Sequence, residues 1–474
     1  MPSSLFRLVH GSKMRAMEGF PGPAPSFPFG NGLDFMGKLP WEVCSRYARE
    51  YGGVTLIWLG GRPALVLNDP KLIGEVLDTR ADDFYKDSPR TALLPIITDN
   101  CPFIANGADW QAKRETHPFR MDGLREWMAS QVEPMREMLR EGIRLLKDLP
   151  EPVDVGQTVQ HLGFDAFSVA VWGHVLGADV YEWFLTLGKM GDRRLKLDFM
   201  APLLPPINPW FYSTRRKWFA LFSSLIEQAR APDQPPRSDL LTVLLRRGKP
   251  PSVAFRDAMA NIFFGGAFSA FSAVTTSLYL LAHNPAVEQR LRAELGALVE
   301  RDPGYGLDAL ESCAYLDCVL REALRVYSPA PFYFRNSAKD RSVSLGGHTL
   351  PPNTLLFISN GFLHHDPAHW SDPERFDPSR WENGGAERDP LGSGWYFPFG
   401  RGPRTCVGQP FAMFAMKLTL AELLLNARLE LDLALPYQQD FFFGVMTPKG
   451  LKGRFQPVKP TAGKVASPFG EPGA

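Results

Sequence analysis

The chain has 474 residues, enough by the usual length prior for about three domains and equally suited to one large core. It is 45% hydrophobic and 12% aromatic, and its 52 basic residues nearly balance 51 acidic ones, so it is globular and advertises no acidic partner such as nucleic acid. The five cysteines, at 44, 101, 313, 318 and 406, include no CxxC pair, which argues against a disulfide framework, a zinc ribbon or covalent c-type haem attachment and predicts a reducing, cytoplasmic setting.

Taken in chain order, the N-terminus MPSSLFRLVHGSKMRAMEGF has Arg, His and Lys interrupting every apolar run, so neither a signal peptide nor a membrane anchor is expected. Residues 1–34, which include GFPGPAPSFPFGNG, read as an irregular lead-in. The runs VTLIWLG and RPALVLN flank Gly60 and Gly61 and predict a hairpin over 54–68. From Ala108 to about Arg301 the period is mostly helical, broken at GADV, APLLPPINPW and RRGKPPS. The longest pattern, Ser252 to His283, is apolar nearly all round and predicts a helix crossing the interior up to Asn284-Pro285. After Tyr327 come short β-like pieces and turns, then a helix over Gln409–Leu425. With no repeat or composition shift, a single mainly α domain with small β-sheets is expected over 35–460, followed by a flexible tail at 461–474.

The stretch Phe399-Gly400-Arg401-Gly402-Pro403-Arg404-Thr405-Cys406-Val407-Gly408 surrounds one cysteine with turn-permitting glycines at the start of a helix. Free N–H groups and the helix dipole there favour the thiolate, the form that ligates metal. An isolated cysteine is more often plain core. The spacing F-G-x-G-x-R-x-C-x-G, however, resembles the haem-binding loop of the cytochrome P-450 superfamily at every one of its six fixed positions, and the resemblance extends over roughly residues 35–460. It implies the fold of that family, a soluble bacterial-type member, and one non-covalent haem b whose iron is held by Cys406, with Phe399 and Gly408 shaping the loop.

Further segments are similar to the family. Glu322 and Arg325 in LREALRVYSPAP, with Arg375 in PERF, resemble its structural Glu–Arg–Arg network, although a helical pair taken alone is usually a solvated one contributing about 0.3 kcal/mol. Trp110 and Arg114 in ADWQAKRETHPF, together with Arg335 and Arg404, look like the partners of the haem propionates, a role that suits the planar fork of arginine. The central helix departs from the pattern. Where the family shows A/G-G-x-D/E-T-T/S, this chain has Gly265-Gly266-Ala267-Phe268-Ser269-Ala270. Gly266 fits a widened groove for dioxygen or simple packing, Ser269 keeps a hydroxyl, and Phe268 cannot relay a proton.

The resemblance implies monooxygenation, by hydroxylation or epoxidation, of a hydrophobic small molecule such as a terpenoid, steroid, fatty acid or other secondary metabolite. Phe268 keeps open a peroxide-driven peroxygenase or an isomerase or dehydratase, and a non-enzymatic haem sensor or carrier is the remaining alternative. Phe264, Phe271, Phe332, Phe334 and Val445 are candidate pocket residues, against the commoner role of aromatic stripes as core. APLLPPINPWF is a candidate lid. The length leaves no room for a fused reductase, so electrons from NAD(P)H are expected through a separate ferredoxin or flavodoxin and its reductase, docking on a surface that includes Lys113, Arg120, Arg125 and Lys417. A monomer is expected.

Overall fold

A computed structural model describes residues 4–36, 38, 40–86, 98, 101–196, 209–231, 237–384, 394–442 and 444–458. Residues 201–208 of the candidate lid at 201–211, residues 87–97, 99 and 100, and the tail at 461–474 lie outside the described residues.

The lead-in departs from expectation. A helix spans Ser4–Ala16, with Phe6 and, just beyond its end, Met17 fully enclosed. Phe6 sets its ring edge-on to Trp58 at 5.3 Å, and Lys13 Nζ donates to the Gly61 carbonyl at 3.0 Å. A short isolated helix is marginal in water, so contact with the hairpin supplies what local sequence lacks. The Pro- and Gly-rich stretch that follows is irregular as expected but anchored: Leu56 N donates to Pro21 O at 2.7 Å and Gly60 N to Phe29 O at 3.0 Å.

The predicted hairpin forms from Val54–Leu59 and Arg62–Leu67, turning at Gly60 with φ of 58°. It belongs to a five-stranded sheet in the order 54–59, 62–67, 355–358, 333–337, 84–85. The pair 62–67 and 355–358 is parallel, with Ala64 opposite Leu355, and the others are antiparallel. The parallel pair joins strands nearly 300 positions apart in the chain, so the helical middle is bracketed by the sheet.

Two helices define the centre. Gln409–Asn426 carries the cysteine loop at its start, and Val155–Trp172 is almost wholly buried. The expected long central helix is interrupted: Val253–Gly266 and Ser269–Ala282 are separated at Ala267 and Phe268. The break follows the Gly265–Gly266 pair, each glycine weakening a helix by about 1 kcal/mol. The carbonyl of Phe268 accepts the Gln160 amide at 3.3 Å. A buried carboxylate, Glu422, ties the cysteine helix to Leu124–Lys147: Arg140 Nε donates to it at 2.8 Å and Tyr305 Oη at 2.5 Å. This second charged network was not read from the sequence, where Glu422 stands among leucines with its partners more than 100 residues away.

Candidate cofactor site around Cys406

The loop before the cysteine helix folds on its own carbonyls. Cys406 N donates to Phe399 O at 2.8 Å, Gly400 N to Phe397 O at 3.0 Å, and Thr405 N to Gly402 O at 3.0 Å. Gly400 and Gly402 adopt φ of 75° and 70°, the left-handed region that side chains disfavour. At the helix start, a Cβ on Gly408 would meet the Cys406 sulfur at 3.9 Å and Phe119 at 3.6 Å, so bare backbone closes over the thiol.

Cys406 is the exposed member of the five cysteines; the other four are buried. Its sulfur is nevertheless walled in, and desolvation raises the thiol pKa despite the N–H groups of Gly408 and Gln409 and the cations Arg114 and Lys86, which favour the thiolate. Reachable yet desolvated is the condition of a group lining an internal hollow. The N–H groups at the helix start act in the expected direction, but burial outweighs them, and a bound cationic metal would have to shift the balance.

Four cations surround this loop. Arg404 Nη1 donates to Ala105 O at 3.0 Å and Nη2 to Asn106 Oδ1 at 3.2 Å, while its guanidinium lies 4.5 Å from the Trp110 ring centre. Arg114 approaches the same ring at 5.9 Å. Burial first, and neighbouring cations next, push Arg335 down to about 9 and Arg404 to about 10. Lys86, beside Arg335 and Arg404, is held well below the usual lysine range for the same reasons. Among the described residues, no carboxylate forms an ion pair with Lys86, Arg114, Arg335 or Arg404. Arg335 is buried and the other three half-buried; positive charge drawn away from water with little counter-charge is expensive, and the two carboxylates of a porphyrin would neutralise it. With an accessible sulfur alongside, the donor set fits an iron porphyrin: Cys406 would hold the metal, and Trp110, Arg114, Arg335 and Arg404, joined by Lys86, would hold the propionates. Lys86 was missed because it stands in a charged run, DDFYKD, with nothing to set it apart.

The central helix presents an unusual surface. Gly265 is exposed and Ser269 half-buried in the middle of an otherwise buried helix, and nothing lies within 4 Å of a Cβ built on Gly265. These two, one turn apart, face open space. Gly266 does not: its Cβ would meet the Phe167 ring at 2.6 Å, so it serves close packing, and the groove reading moves to Gly265. Ser269 Oγ donates to Gly265 O at 2.8 Å, the habitual bond of a helical serine, which leaves its lone pairs to accept. The Phe268 ring stacks on Phe442 at 4.4 Å and tilts against Phe184 at 5.1 Å. It is core, and it leaves no acid at that position.

The Glu–Arg–Arg network is present with one member changed. Glu322 and Arg325, both fully buried, pair through Nε–Oε2 at 2.9 Å and Nη2–Oε1 at 2.8 Å. Arg325 also donates to the carbonyls of His364, Pro373 and Arg375. The Arg375 side chain is 67% exposed and reaches only Asp377 at 3.8 Å, so its guanidinium is not part of the network; its carbonyl is. The third member is Arg380, whose Nε lies 3.3 Å from Glu322 Oε1, with Trp381 Nε1 donating to Oε2 at 2.9 Å. The sequence held the signal in a second Pro-x-Arg-aromatic run, Pro378-Ser379-Arg380-Trp381, five residues after the one chosen.

The aromatic candidates divide. Phe264 and Phe271 belong to the main core, Phe264 near Phe184 and Trp218 and Phe271 against Gly163, and are corrected from pocket to packing. Phe332, Phe334, Phe441 and Met446 form a separate small cluster, beside which Val445 is also buried. Met446 N donates to Pro329 O at 2.8 Å. Of the expected docking cations, Lys113 pairs with Asp109 at 2.7 Å, Arg125 with Asp308 and Glu311, and Lys417 is buried against Asp317 at 2.8 Å. These three are neutralised, and Arg120 is exposed.

Comparison with known proteins bears on the whole chain. The cytochrome P450 family model matches residues 20–452. Similar proteins include rabbit (Oryctolagus cuniculus) cytochrome P450 3A6, 27% identical over 95% of this chain and 92% of the relative. Human cytochrome P450 3A5 is 25% identical over 95% and 91%, and mouse (Mus musculus) cytochrome P450 3A11 is 28% identical over 86% and 85%. These relatives are mammalian 3A forms rather than the soluble bacterial type expected, and the cytoplasmic placement read from the cysteine pattern is withdrawn. Among the described residues one stretch, Val253–Ala282, is long and apolar enough to cross a membrane by length and composition, with 78% of its most apolar window buried inside the protein. With a family match across nine-tenths of its length and a mainly helical fold with small sheets, this chain belongs to the cytochrome P450 family and is a haem-dependent monooxygenase of that family.

Proposed function

We propose that the chain inserts an oxygen atom from dioxygen into a hydrophobic small molecule, of the terpenoid, steroid, fatty acid or secondary-metabolite kind, using electrons from NAD(P)H passed on by a separate ferredoxin or flavodoxin. The observation that carries this reading is the accessible sulfur of Cys406 beside buried Arg335 and half-buried Lys86, Arg114 and Arg404, none of which forms an ion pair with a carboxylate among the described residues. When bound, a thiolate-ligated haem supplies the redox chemistry, the sulfur favouring O–O cleavage. The chain's own groups then have separate tasks. Lys86, Arg114, Arg335 and Arg404 neutralise and orient the propionates, and the loop glycines keep backbone close to the sulfur. Gly265 leaves room for substrate and dioxygen. Ser269 Oγ, its proton committed to the Gly265 carbonyl, can accept a hydrogen bond from a water and hold it for proton delivery. The apolar cluster of Phe332, Phe334 and Phe441 suits a hydrophobic substrate.

Phe268 favours a second reading in which oxygen is not reductively activated: with the acid's place taken by a ring packed into the core, a peroxide-driven reaction brings its protons with the oxidant and an isomerising one needs none delivered from solvent to dioxygen. Oxygen-18 labelling separates the two. Label from dioxygen should enter product only with reductant and redox partner present. Product formed equally well without oxygen or reductant would sink the first reading.

A further inference from the structure

The cysteine loop rests on an unusual piece of backbone. After the short helix Pro70–Gly74, capped by Asp69, residues Glu75–Thr79 form a single π turn. Such a turn widens the helix by one residue and re-aims the carbonyls and side chains around it. Here the re-aimed groups are Leu77 O and Asp78, and both meet the loop. A Cβ on Gly402 would lie 2.0 Å from Leu77 O and 2.6 Å from Asp78 Oδ1, so the loop backbone presses directly on the turn at a residue that only glycine can occupy. One residue earlier, Arg401 Nε forms an ion pair with Asp78 Oδ2. The Arg401 guanidinium sits in a slot with two glycine walls: a Cβ on Gly394 would meet Nη1 at 2.5 Å, and one on Gly74 would meet Nη2 at 3.7 Å.

We propose that Asp78 is a positioning residue for the Cys406 sulfur, acting through Arg401 and the Gly402 backbone; the proposal rests on Cys406 being the iron ligand. The connection is short. Gly402 O accepts both Thr405 N at 3.0 Å and Thr405 Oγ1 at 2.8 Å, making a tight turn over Gly402–Arg404 that ends one residue before the cysteine. That turn carries Arg404, which lies with the propionate-binding cations. A shift at Arg401–Gly402 would therefore move the sulfur and one propionate partner together, while Phe399 O holds the far side of the loop through Cys406 N.

Asp78 and Arg401 are each 25% exposed, so water partly screens their pair and it adds less to global stability than the fully buried Glu322 network. Its effect should thus appear in the loop rather than in the fold, which distinguishes it from the buried Glu322 network. Leu77 O supplies a fixed backbone stop and Asp78 supplies the charge that pulls Arg401 onto it. Removing the charge leaves the stop but frees the loop to move away from it.

The test compares full-length holoproteins of wild type, Asp78→Asn, Arg401→Gln and Arg401→Lys. Three quantities are read: the rate at which the reduced carbon monoxide complex converts from its band at about 450 nm to the inactive form at about 420 nm, the haem reduction potential, and the thermal midpoint. Asp78→Asn and Arg401→Gln should convert about tenfold faster than wild type and shift the potential, with haem content and thermal midpoint near wild type; Arg401→Lys should recover part of the effect. Unchanged conversion and potential in both Asp78→Asn and Arg401→Gln would overturn the proposal, as would conversion that merely follows a falling thermal midpoint. A wild type without the longer-wavelength band would overturn Cys406 as ligand, and the proposal with it.

Discussion

Arg375 and Arg380 offer a direct test of the network under the cofactor site. Arg380 makes three contacts: Nε to Glu322 Oε1 at 3.3 Å, Nη1 to Ser371 Oγ at 3.2 Å, and Nη2 to Asp372 O at 2.9 Å. The first involves a fully buried carboxylate, and a charge-assisted bond of that kind contributes about 1.5–3 kcal/mol. The two others, near solvent, add about 0.5 kcal/mol each. Glu322 keeps Arg325, Trp381 Nε1 and the Asp377 amide after Arg380 is removed, so its charge is not orphaned. Arg380→Ala should therefore cost about 2.5–4 kcal/mol, whereas Arg375→Ala, with one long contact to Asp377 at 67% exposure, should cost less than about 0.5 kcal/mol. Urea unfolding of holoprotein followed by tryptophan fluorescence, with haem content as a second readout, measures both. Equal losses for the two variants, or a larger one for Arg375→Ala, would refute the assignment of Arg380 as the network's third member.

Phe268→Asp should lose about 3–5 kcal/mol of stability and yield little folded protein, because it removes a ring packed on Phe184 and Phe442 and buries a carboxylate there; a normal thermal melt would contradict this placement. Gly265→Ala should fold as well as wild type and alter substrate preference, its Cβ meeting nothing within 4 Å, whereas Gly266→Ala should cost about 1–3 kcal/mol through its clash with Phe167. Thermal melts and product profiles check the pair. Cys406→Ser should abolish the carbon monoxide band at about 450 nm, and a full band in that variant would exclude Cys406 as ligand. Lys86, whose pKa is lowered by burial and by neighbouring Arg335 and Arg404, should take up a proton when propionate restores its charge. Haem affinity should then fall as pH rises between that lowered value and the ordinary lysine value of about 10.4. Calorimetry in buffers of different ionisation enthalpy should show the uptake in wild type and less of it in Lys86→Met.

The cysteine loop and the helix after it were legible in the sequence because glycine spacing, a helix start and one thiol are local features: F-G-x-G-x-R-x-C-x-G encodes its own turns. The Glu322–Arg325 pair was legible for the same reason, being one helical turn. What tertiary structure decided were matters of direction and partnership. Whether Gly265 or Gly266 faces open space depends on which side Phe167 approaches, and adjacent glycines are indistinguishable in a string. Phe268 reads as a missing acid from its position, but only packing against Phe184 and Phe442 turns it into core. Arg375 and Arg380 sit in similar Pro-x-Arg-aromatic runs, and it is the fold of the chain around Asp372 that points one guanidinium outward and the other at Glu322. The helix Ser4–Ala16 is stabilised by Trp58 and Gly61, more than forty residues away. Lys86 joins the cation cluster through a sheet whose partner strand begins at Tyr333. Short-range geometry is written in neighbouring residues, whereas burial and charge pairing are set by contacts between distant segments, and those exist only once the chain has closed on itself.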